Sequence, residues 1–416
     1  MARNVFTGTH DRPARLVVLP FLLLIAVLSA CTTLLPRRAV PPQLIDTAAP
    51  YGIRADTGLV RQWGDQLNDA TREALVSQRV KVVRQLHADK IRTGQPLVQT
   101  ALALSGGGPD GAFGAGLLKG WTERGDRPEF SAVTGISTGA IIALFAYLGP
   151  DYDDELEEIY TTYTTEELLT PALFAALTGG SAVTDNSGYR ALIESYINDD
   201  IVARLAAEHK RGRVLLIGTT NIDASRPVVW AVSAIAATGH PSAKELIWDI
   251  VQASSAIPAV FPPVIIPVET PDGQVYDEMH VDGGATQQVM LFNPGFSIKE
   301  IDDRAGLKAE RTLYVVMNNK LDKPYEPVRA RLLPIAGRAG SSLLGGSGTG
   351  DIYKLFAVGL RDGIDLSVTA IPREFDLEAE SPFDPVYMKG LFELGYQIGL
   401  SGDAWSSYPP DYYAYP

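Results

Sequence analysis

The chain has 416 residues, of which 46% are hydrophobic and 20% charged, a composition typical of a globular protein with one large domain or two ordinary ones. The formal net charge is −13, which argues against non-specific binding of nucleic acid and provides no attraction to anionic lipid. A protein of this charge that works at a membrane needs another means of attachment.

Residues 1–30 have the features of a secretion signal. Basic residues up to Arg15 precede an apolar run, Leu16 to Leu28, which is short for a membrane span. The run leads into Leu-Ser-Ala-Cys, whose Cys31 is the only cysteine of the chain and so cannot form an internal disulfide. This sequence resembles a bacterial lipobox, which implies cleavage before Cys31 and acylation of that residue. The alternatives are an uncleaved anchor or an ordinary secreted signal with an incidental cysteine.

The residue after Cys31 indicates which membrane the protein would be sorted to. In the lipoprotein resemblance the non-acidic Thr32 implies the outer membrane of a Gram-negative cell, so we expect a lipid-anchored protein of the cell envelope on the periplasmic face. Residues 31–57, rich in Pro, Thr and Ala, predict a tether. Helical spacing of apolar residues between Gly58 and Ile91 predicts an N-terminal helical segment over residues 58–95.

A glycine-rich turn follows the first predicted buried strand, Val98 to Leu104. Gly106, Gly107 and Gly108 expose backbone N–H groups without side chains, and the next helix begins directly after them, so the turn is a plausible anion cradle. Gly106 and Gly108 with a third glycine also satisfy the G-x-G-x-x-G dinucleotide fingerprint. That fingerprint needs an acidic residue at the end of the second strand, where this chain has none, so an oxyanion turn is preferred.

The second predicted strand ends in Gly-Ile-Ser-Thr-Gly, followed by a helical pattern. A strand-to-helix turn of this kind lifts a serine hydroxyl clear of the sheet, which marks Ser137 as a candidate nucleophile. Gly135 and Gly139 are residues that tolerate the crowding of such an elbow. The free N–H groups at the start of the helix point toward the same site.

Strands and helices alternate beyond this elbow, which predicts an α/β fold with a mainly parallel central sheet flanked by helices. The Gly- and Ser-rich stretch Leu332 to Gly350 is predicted to be a mobile loop, and Phe383 to Leu400 has helical spacing. A Tyr- and Pro-rich tail ends the chain. The further predicted elements are strands at Arg213 to Gly218, Val228 to Val232 and Arg311 to Met317, and a helix at Ala243 to Ser254.

Ser137 needs a base to take its proton. Asp282 ends an apolar strand and is followed by two glycines that let another backbone approach, so it is the preferred partner. His280 lies two residues earlier and shares a strand face with it, and His240 lies in the same region. A triad with either histidine therefore stays open.

These motifs together resemble the patatin-like phospholipases. The order is a Gly-Gly-Gly-x-x-Gly turn, Gly-x-Ser-x-Gly, Ala-Ser-x-Ala-x-Pro-x-x-Phe-Pro-Pro and Asp-Gly-Gly, over about Val98 to Met317. The resemblance implies a patatin-like three-layer fold with a catalytic domain over residues 96–320, on which residues 321–416 pack. It implies a Ser-Asp dyad of Ser137 and Asp282, an oxyanion turn at residues 106–108, lipid acyl-ester substrates, and chemistry that needs no metal or other cofactor.

One position departs from the family pattern, since Asp110 occupies a place in the turn where Arg or Lys is usual. A carboxylate at this position repels nearby negative charge. We therefore expect it to disfavour anionic phospholipids as substrates more than it disfavours ester hydrolysis itself. We expect a serine-dependent lipid acyl hydrolase resembling phospholipase A, a lysophospholipase or an esterase. The alternative is a non-catalytic envelope lipoprotein scaffold that binds lipid or a protein partner.

Overall fold

The computed structural model describes residues 37–53, 60–171, 181–322, 325, 327–403 and 405–412. The predicted signal peptide and Cys31 lie outside the described residues. Among the helices within these ranges, none is both long and apolar enough to traverse a bilayer.

Ten strands of the described chain form one sheet, and two more form a separate short ribbon. The order in the large sheet is β1-β9-β10-β7-β4-β3-β11-β12, with β8 pairing both β7 and β2. The strands are β1 (Ala49–Pro50), β2 (Arg61–Trp63), β3 (Leu97–Leu104), β4 (Ala132–Ile136), β5 (Thr170–Pro171), β6 (Thr184–Asp185), β7 (Val214–Asn221), β8 (Arg226–Ala231), β9 (Val264–Glu269), β10 (Val275–Asp282), β11 (Ala309–Met317) and β12 (Ile364–Ala370).

The centre of the sheet is parallel, as the alternation of strands and helices predicted. Strands β7, β4, β3, β11 and β12 run in one direction, whereas β10 pairs antiparallel with β7 and with β9. The central strands are near-continuous apolar runs because helices cover both faces. Their carboxyl ends meet along one edge, which is where ligands bind in open α/β sheets.

The helices of the described chain cover the sheet and extend from its edges. They are α1 (Asp69–Leu86), α2 (Ala88–Thr93), α3 (Gly111–Arg124), α4 (Thr138–Leu148), α5 (Asp153–Thr161), α6 (Thr165–Leu168), α7 (Ser187–Tyr196), α8 (Asp199–Lys210), α9 (Val232–Ala237), α10 (Ala243–Ser254), α11 (Ile298–Ala305), α12 (Leu332–Asp362) and α13 (Pro385–Ser401).

Helix α13 attaches the C-terminal region to the same core. It packs against α3 at backbone distance, since a Cβ atom on Gly116 would lie 2.0 Å from the carbonyl oxygen of Phe392 and one on Gly395 would lie 2.1 Å from that of Phe113. Residues without side chains at such contacts let two helix backbones approach closely. The helix predicted over Phe383 to Leu400 is confirmed.

Two predictions need correction. The loop predicted over Leu332 to Gly350 is wrong, because this stretch is the first part of helix α12. Its glycines weaken the sequence signal by ~1 kcal/mol each relative to alanine, but the later turns bury Ile352 and Leu355 against the sheet, and tertiary packing overrides the weak propensity.

The predicted tether over residues 31–57 is also too long. From Arg37 to Ile53 the described chain lies on the protein body rather than spanning free. Strand β1 pairs antiparallel with β9, and the backbone N–H of Arg38 donates to the Asp277 carboxylate at 2.8 Å. Backbone pairing of this kind leaves no periodic pattern in a two-residue strand.

Candidate active site

Ser137 lies at the joint between β4 and α4, as the elbow motif predicted. Its backbone has φ 55° and ψ −127°, a conformation that non-glycine residues seldom adopt and that costs roughly 1–3 kcal/mol. The residue is 5% exposed. The strain is thus carried by the serine itself, and it persists only because the surrounding structure holds it.

Gly135 and Gly139, on either side of Ser137, permit this turn because neighbouring backbone atoms lie where a side chain would otherwise be. A Cβ atom on Gly135 would lie 2.1 Å from the carbonyl oxygen of Gly139. One on Gly139 would lie 2.5 Å from the carbonyl oxygen of Leu104. Any larger residue at either position would force β4, α4 and the end of β3 apart.

Asp282 meets Ser137 across the end of β7. Its carboxyl group lies close enough to the Ser137 side chain for hydrogen bonding with it to lower the carboxyl pKa, and it accepts the N–H of Gly284 at 2.7 Å. Burial raises the pKa of Asp282 to about 6, although both hydrogen bonds oppose that shift. A carboxylate with this pKa is ionised at neutral pH and is a better base than an exposed aspartate.

The sheet order explains how two residues far apart in sequence come together. Ser137 follows β4, Asp282 ends β10, and β7 lies between these strands. A Cβ atom on Gly283 would lie 2.6 Å from the carbonyl oxygen of Gly218 in β7, so the chain after Asp282 must pass over β7 without a side chain. The first glycine of the Asp-Gly-Gly motif therefore lets the chain after Asp282 pass directly against the backbone of β7.

The glycine turn lies directly beside the serine, since a Cβ atom on Gly106 would be 3.1 Å from Cβ of Ser137. The predicted role of all three glycines as donors needs a correction at Gly106, whose N–H donates to the carbonyl oxygen of Gln288 at 3.1 Å. Gly107 and Gly108 donate no N–H to any group of the described chain. These two amides remain available to an incoming anion.

The turn is held by Asn318, a residue that the sequence reasoning missed. This fully buried side chain donates to the carbonyl oxygen of Ser105 at 2.9 Å and accepts the N–H of Gly114 at 3.1 Å. Its own backbone N–H donates to Ser105 Oγ at 2.8 Å. Its position directly after β11, at the carboxyl edge of the sheet, is the one signal that pointed to it.

Asp351 was also missed, and it connects the glycine turn to the Asp282 loop. Its buried carboxylate accepts the backbone N–H of Gln288 at 2.7 Å. The Gln288 side chain donates to the carbonyl oxygen of Gly284 at 2.9 Å, and its backbone oxygen accepts the Gly106 N–H. One carboxylate on α12 thus positions both halves of the site. Burial raises the pKa of Asp351 above its usual value.

The Ala-Ser-x-Ala-x-Pro segment supports the serine from behind. Ser254 Oγ accepts the backbone N–H of Ser137 at 2.9 Å and donates to the carbonyl oxygen of Gly218 at 2.7 Å. The N–H of Asp282 donates to the carbonyl oxygen of Ala256 at 2.9 Å. This segment therefore fixes the backbone of both Ser137 and Asp282.

An apolar pocket opens at Ser137. It is bounded by side chains from α4, α5, α7, α13 and the Pro-rich segment, with Gly108 of the glycine turn at its edge. Its lining consists of Gly108, Ser137, Thr138, Ile141, Ile159, Tyr160, Leu168, Tyr189, Leu192, Ser255, Ile257, Phe261, Phe383 and Met388. This apolar lining suits a hydrocarbon chain, and the pocket's volume of about 50 Å³ has room for the part of the chain nearest the serine.

Neither candidate histidine contacts Ser137. His280 is fully buried, with Nδ1 2.9 Å from Thr219 Oγ1 and Nε2 3.0 Å from Glu278 Oε2, so both ring nitrogens are engaged elsewhere. Burial lowers the pKa of His280. His240 contacts Ser242 in a different part of the chain. The geometry brings Asp282, and neither of these histidines, to the serine.

Asp110 also occupies a specific position. Its carboxylate accepts the Tyr387 hydroxyl at 2.7 Å, which links the residue after the glycine turn to helix α13. Burial raises the pKa of Tyr387, and the neighbouring Asp110 adds to that shift, so the tyrosine remains a donor. Where the family has a cation, this chain has a carboxylate bound to a phenol.

Comparison with known proteins identifies the matching segment. Residues 102–292 match the family model for patatin-like phospholipases, which confirms the resemblance recognised in the sequence. No curated protein sequence matches the chain.

Solved structures give weak overall similarity. VipD from Legionella pneumophila is 13% identical, with 75% of this chain and 68% of that chain covered and a TM-score of 0.35. Human GIVD cytosolic phospholipase A2 is 13% identical, with 69% of this chain and 51% of that chain covered and a TM-score of 0.27. The present chain thus spans about half of the human protein.

Proposed function

Because residues 102–292 match the patatin-like phospholipase model, we propose that this protein is a lipid acyl hydrolase in which Ser137 and Asp282 form a catalytic dyad. The observation that carries the proposal is the position of Ser137, on its strained turn, next to the buried carboxyl of Asp282, whose pKa the serine side chain lowers. The apolar pocket at the serine supports an acyl chain as the group bound there.

The proposed reaction proceeds through an acyl-enzyme. Ser137 Oγ attacks the ester carbonyl carbon while Asp282 takes the hydroxyl proton. The resulting oxyanion is stabilised by the N–H groups of Gly107 and Gly108, and collapse of the intermediate breaks the ester bond as Asp282 returns the proton to the leaving alcohol. Water then attacks the acyl group, with Asp282 again as base, and a carboxylic acid is released.

A fluorophosphonate probe tests the nucleophile. The Ser137→Ala variant should lose labelling and hydrolysis of p-nitrophenyl esters, while Ser77→Ala, which removes an exposed serine of α1, should retain both. Labelling of Ser137→Ala at the level of the unsubstituted protein would move the nucleophile elsewhere. Incubation with defined phospholipids, followed by mass spectrometry, identifies which acyl ester is cleaved.

The second candidate function is a non-catalytic lipid-binding scaffold, favoured by the carboxylate of Asp110 next to the glycine turn. A scaffold of this kind would bind phospholipid vesicles saturably but turn over neither short esters nor phospholipids. Turnover that depends on Ser137 excludes it.

A lipid anchor at Cys31 would hold the protein to the outer membrane on its periplasmic face. The support is the Leu-Ser-Ala-Cys sequence after the apolar run. Cell fractionation tests this point, since Cys31→Ser should move the protein from the membrane to the soluble fraction. Membrane association that survives the substitution in processed protein would contradict the anchor.

A further inference from the structure

A second pocket lies far from Ser137, on the sheet face covered by α1 and α11. Two adjoining cavities, of about 300 Å³ and about 190 Å³, share part of their lining. The shared residues are Arg79, Val82, Leu86, Gly212, Leu216, Phe292 and Phe296. We call this space the Arg79 pocket. Its volume is in the range of small-ligand sites.

The pocket is separate from the proposed active site. It reaches Ser131 and Ala132 at the start of β4, whereas Ser137 follows the end of that strand. A strand rises about 3.3 Å per residue, so Ala132 and Ser137 are roughly 17 Å apart along β4. The lining of the Arg79 pocket shares no residue with that of the apolar pocket at the serine.

Arg79 is the feature that points to a ligand. Arg79 lines both cavities, and its side chain makes no hydrogen bond or ion pair with any group in the described chain. Burial lowers the pKa of Arg79, yet arginine remains protonated at neutral pH. Arg79 is half-buried, and a partly desolvated cation that lines a pocket without a counter-ion in the described chain favours an anionic ligand there.

A second cation, Lys210, lines the same pocket. His209 lines it too, but burial and, to a lesser extent, the nearby Arg79 lower the pKa of His209, so its imidazole is neutral at neutral pH. The one carboxylate in the described lining, Asp302, is already ion-paired with Arg311. In a protein with a net charge of −13, this is a local region of positive potential.

Part of the remaining lining is apolar. Leu291, Phe292, Phe296 and Ile301 line the smaller cavity, and exposed Gln78 and Gln85 line the larger one. An anionic group beside an apolar space is the chemistry of a single-chain amphiphile. Arg offers a planar fork that binds a carboxylate through two parallel hydrogen bonds.

We infer that the Arg79 pocket binds a single-chain carboxylate amphiphile such as a fatty acid, with its head group on Arg79 and its chain between α1 and the sheet. The site does not depend on the proposed hydrolytic activity. A protein without turnover would still bind the ligand there.

Calorimetric titration of the full chain with decanoate tests the inference. The unsubstituted protein should bind decanoate, Arg79→Gln should weaken that binding about tenfold or more, and Lys81→Gln, which removes an exposed cation of the same helix, should leave it unchanged. Decanol, which lacks the charge, should bind the Arg79→Gln and unsubstituted proteins alike. Equal decanoate affinity in the Arg79→Gln and unsubstituted proteins, or no binding to the unsubstituted protein, would overturn the inference.

Two further measurements separate the remaining explanations. If acetate bound the Arg79 pocket as tightly as decanoate, the pocket would be a simple anion site, and the role given to the hydrocarbon chain would be overturned. The second measurement soaks crystals of the unsubstituted protein with a bromine-labelled fatty acid, so its result does not depend on how a variant folds. Anomalous signal is expected beside Arg79, and signal confined to the pocket at Ser137 would overturn the assignment.

Discussion

Replacing Asp282 by asparagine should have opposite effects on activity and on stability. The folded pKa of about 6 exceeds the ordinary value of 3.8, so the native state binds this proton more tightly than the unfolded chain does. The stabilisation from this proton is complete below pH 3.8 and is lost as the pH rises through 6, for a total of ~3 kcal/mol. Asparagine has nearly the same shape and no charge, so it avoids this loss.

Urea denaturation at several pH values measures the effect. At pH 8 the Asp282→Asn protein should unfold with a free energy ~3 kcal/mol above that of the unsubstituted protein, and at pH 4 the two should nearly coincide. Ester hydrolysis should fall by about a hundredfold or more, the contribution of a positioned base. Asp365→Asn, at an exposed position of β12, serves as the control and should change neither property.

An Asp282→Asn protein that is less stable at pH 8, or that differs equally at pH 4 and pH 8, would refute this reasoning about burial. The pH profile of kcat/KM provides a second check. Activity of the unsubstituted protein should decline as the pH falls through about 6, since the carboxylate becomes protonated and can no longer accept the serine proton.

Three further predictions follow from the contacts at the site. Gly107→Ala should abolish ester hydrolysis, because its Cβ would lie 2.1 Å from the carbonyl oxygen of Asn318, whereas Gly337→Ala in helix α12 meets nothing within 4 Å and should raise the unfolding free energy by ~0.5–1 kcal/mol. Asp351→Ala should lower kcat with little change in KM, and cost ~1–3 kcal/mol of stability, because two backbone N–H groups lose their acceptor. Ile141→Trp should fill the apolar pocket, so that hydrolysis of long-chain p-nitrophenyl esters falls relative to the acetate ester, and an unchanged ratio would show that the chain binds elsewhere.

The site residues that could be predicted from the sequence, Ser137 and Asp282, are those that a short motif of neighbouring residues marks. Ser137 was recognisable from Gly-x-Ser-x-Gly between a strand and a helix, and Asp282 from a strand end followed by two glycines. The geometry brings these two side chains together. The contribution of Gly106 was not predictable, since its N–H meets Gln288, which lies 182 positions later in the sequence.

The parts that were missed depend on tertiary contacts. Asn318 holds the glycine turn across 213 residues of sequence, and Asp351 reaches Gln288 across 63, with no periodicity that would mark either. Asp351 lies in helix α12, directly after the part of that helix that the sequence predicted to be a loop. A composition rich in glycine and serine predicts flexibility, but it does not reveal that the later turns are buried.

If Cys31 carries the proposed lipid anchor, the segment that is docked from Arg37 onward would limit how far the protein can move from the membrane. Six residue steps separate Cys31 from Arg37, and an extended chain advances at most ~3.6 Å per residue, so the maximum distance between these two residues is ~20 Å. With acyl chains on Cys31, the folded body would therefore stay against the leaflet that holds it. Its substrates would be lipids of that same leaflet, met by lateral diffusion rather than delivered from a distance.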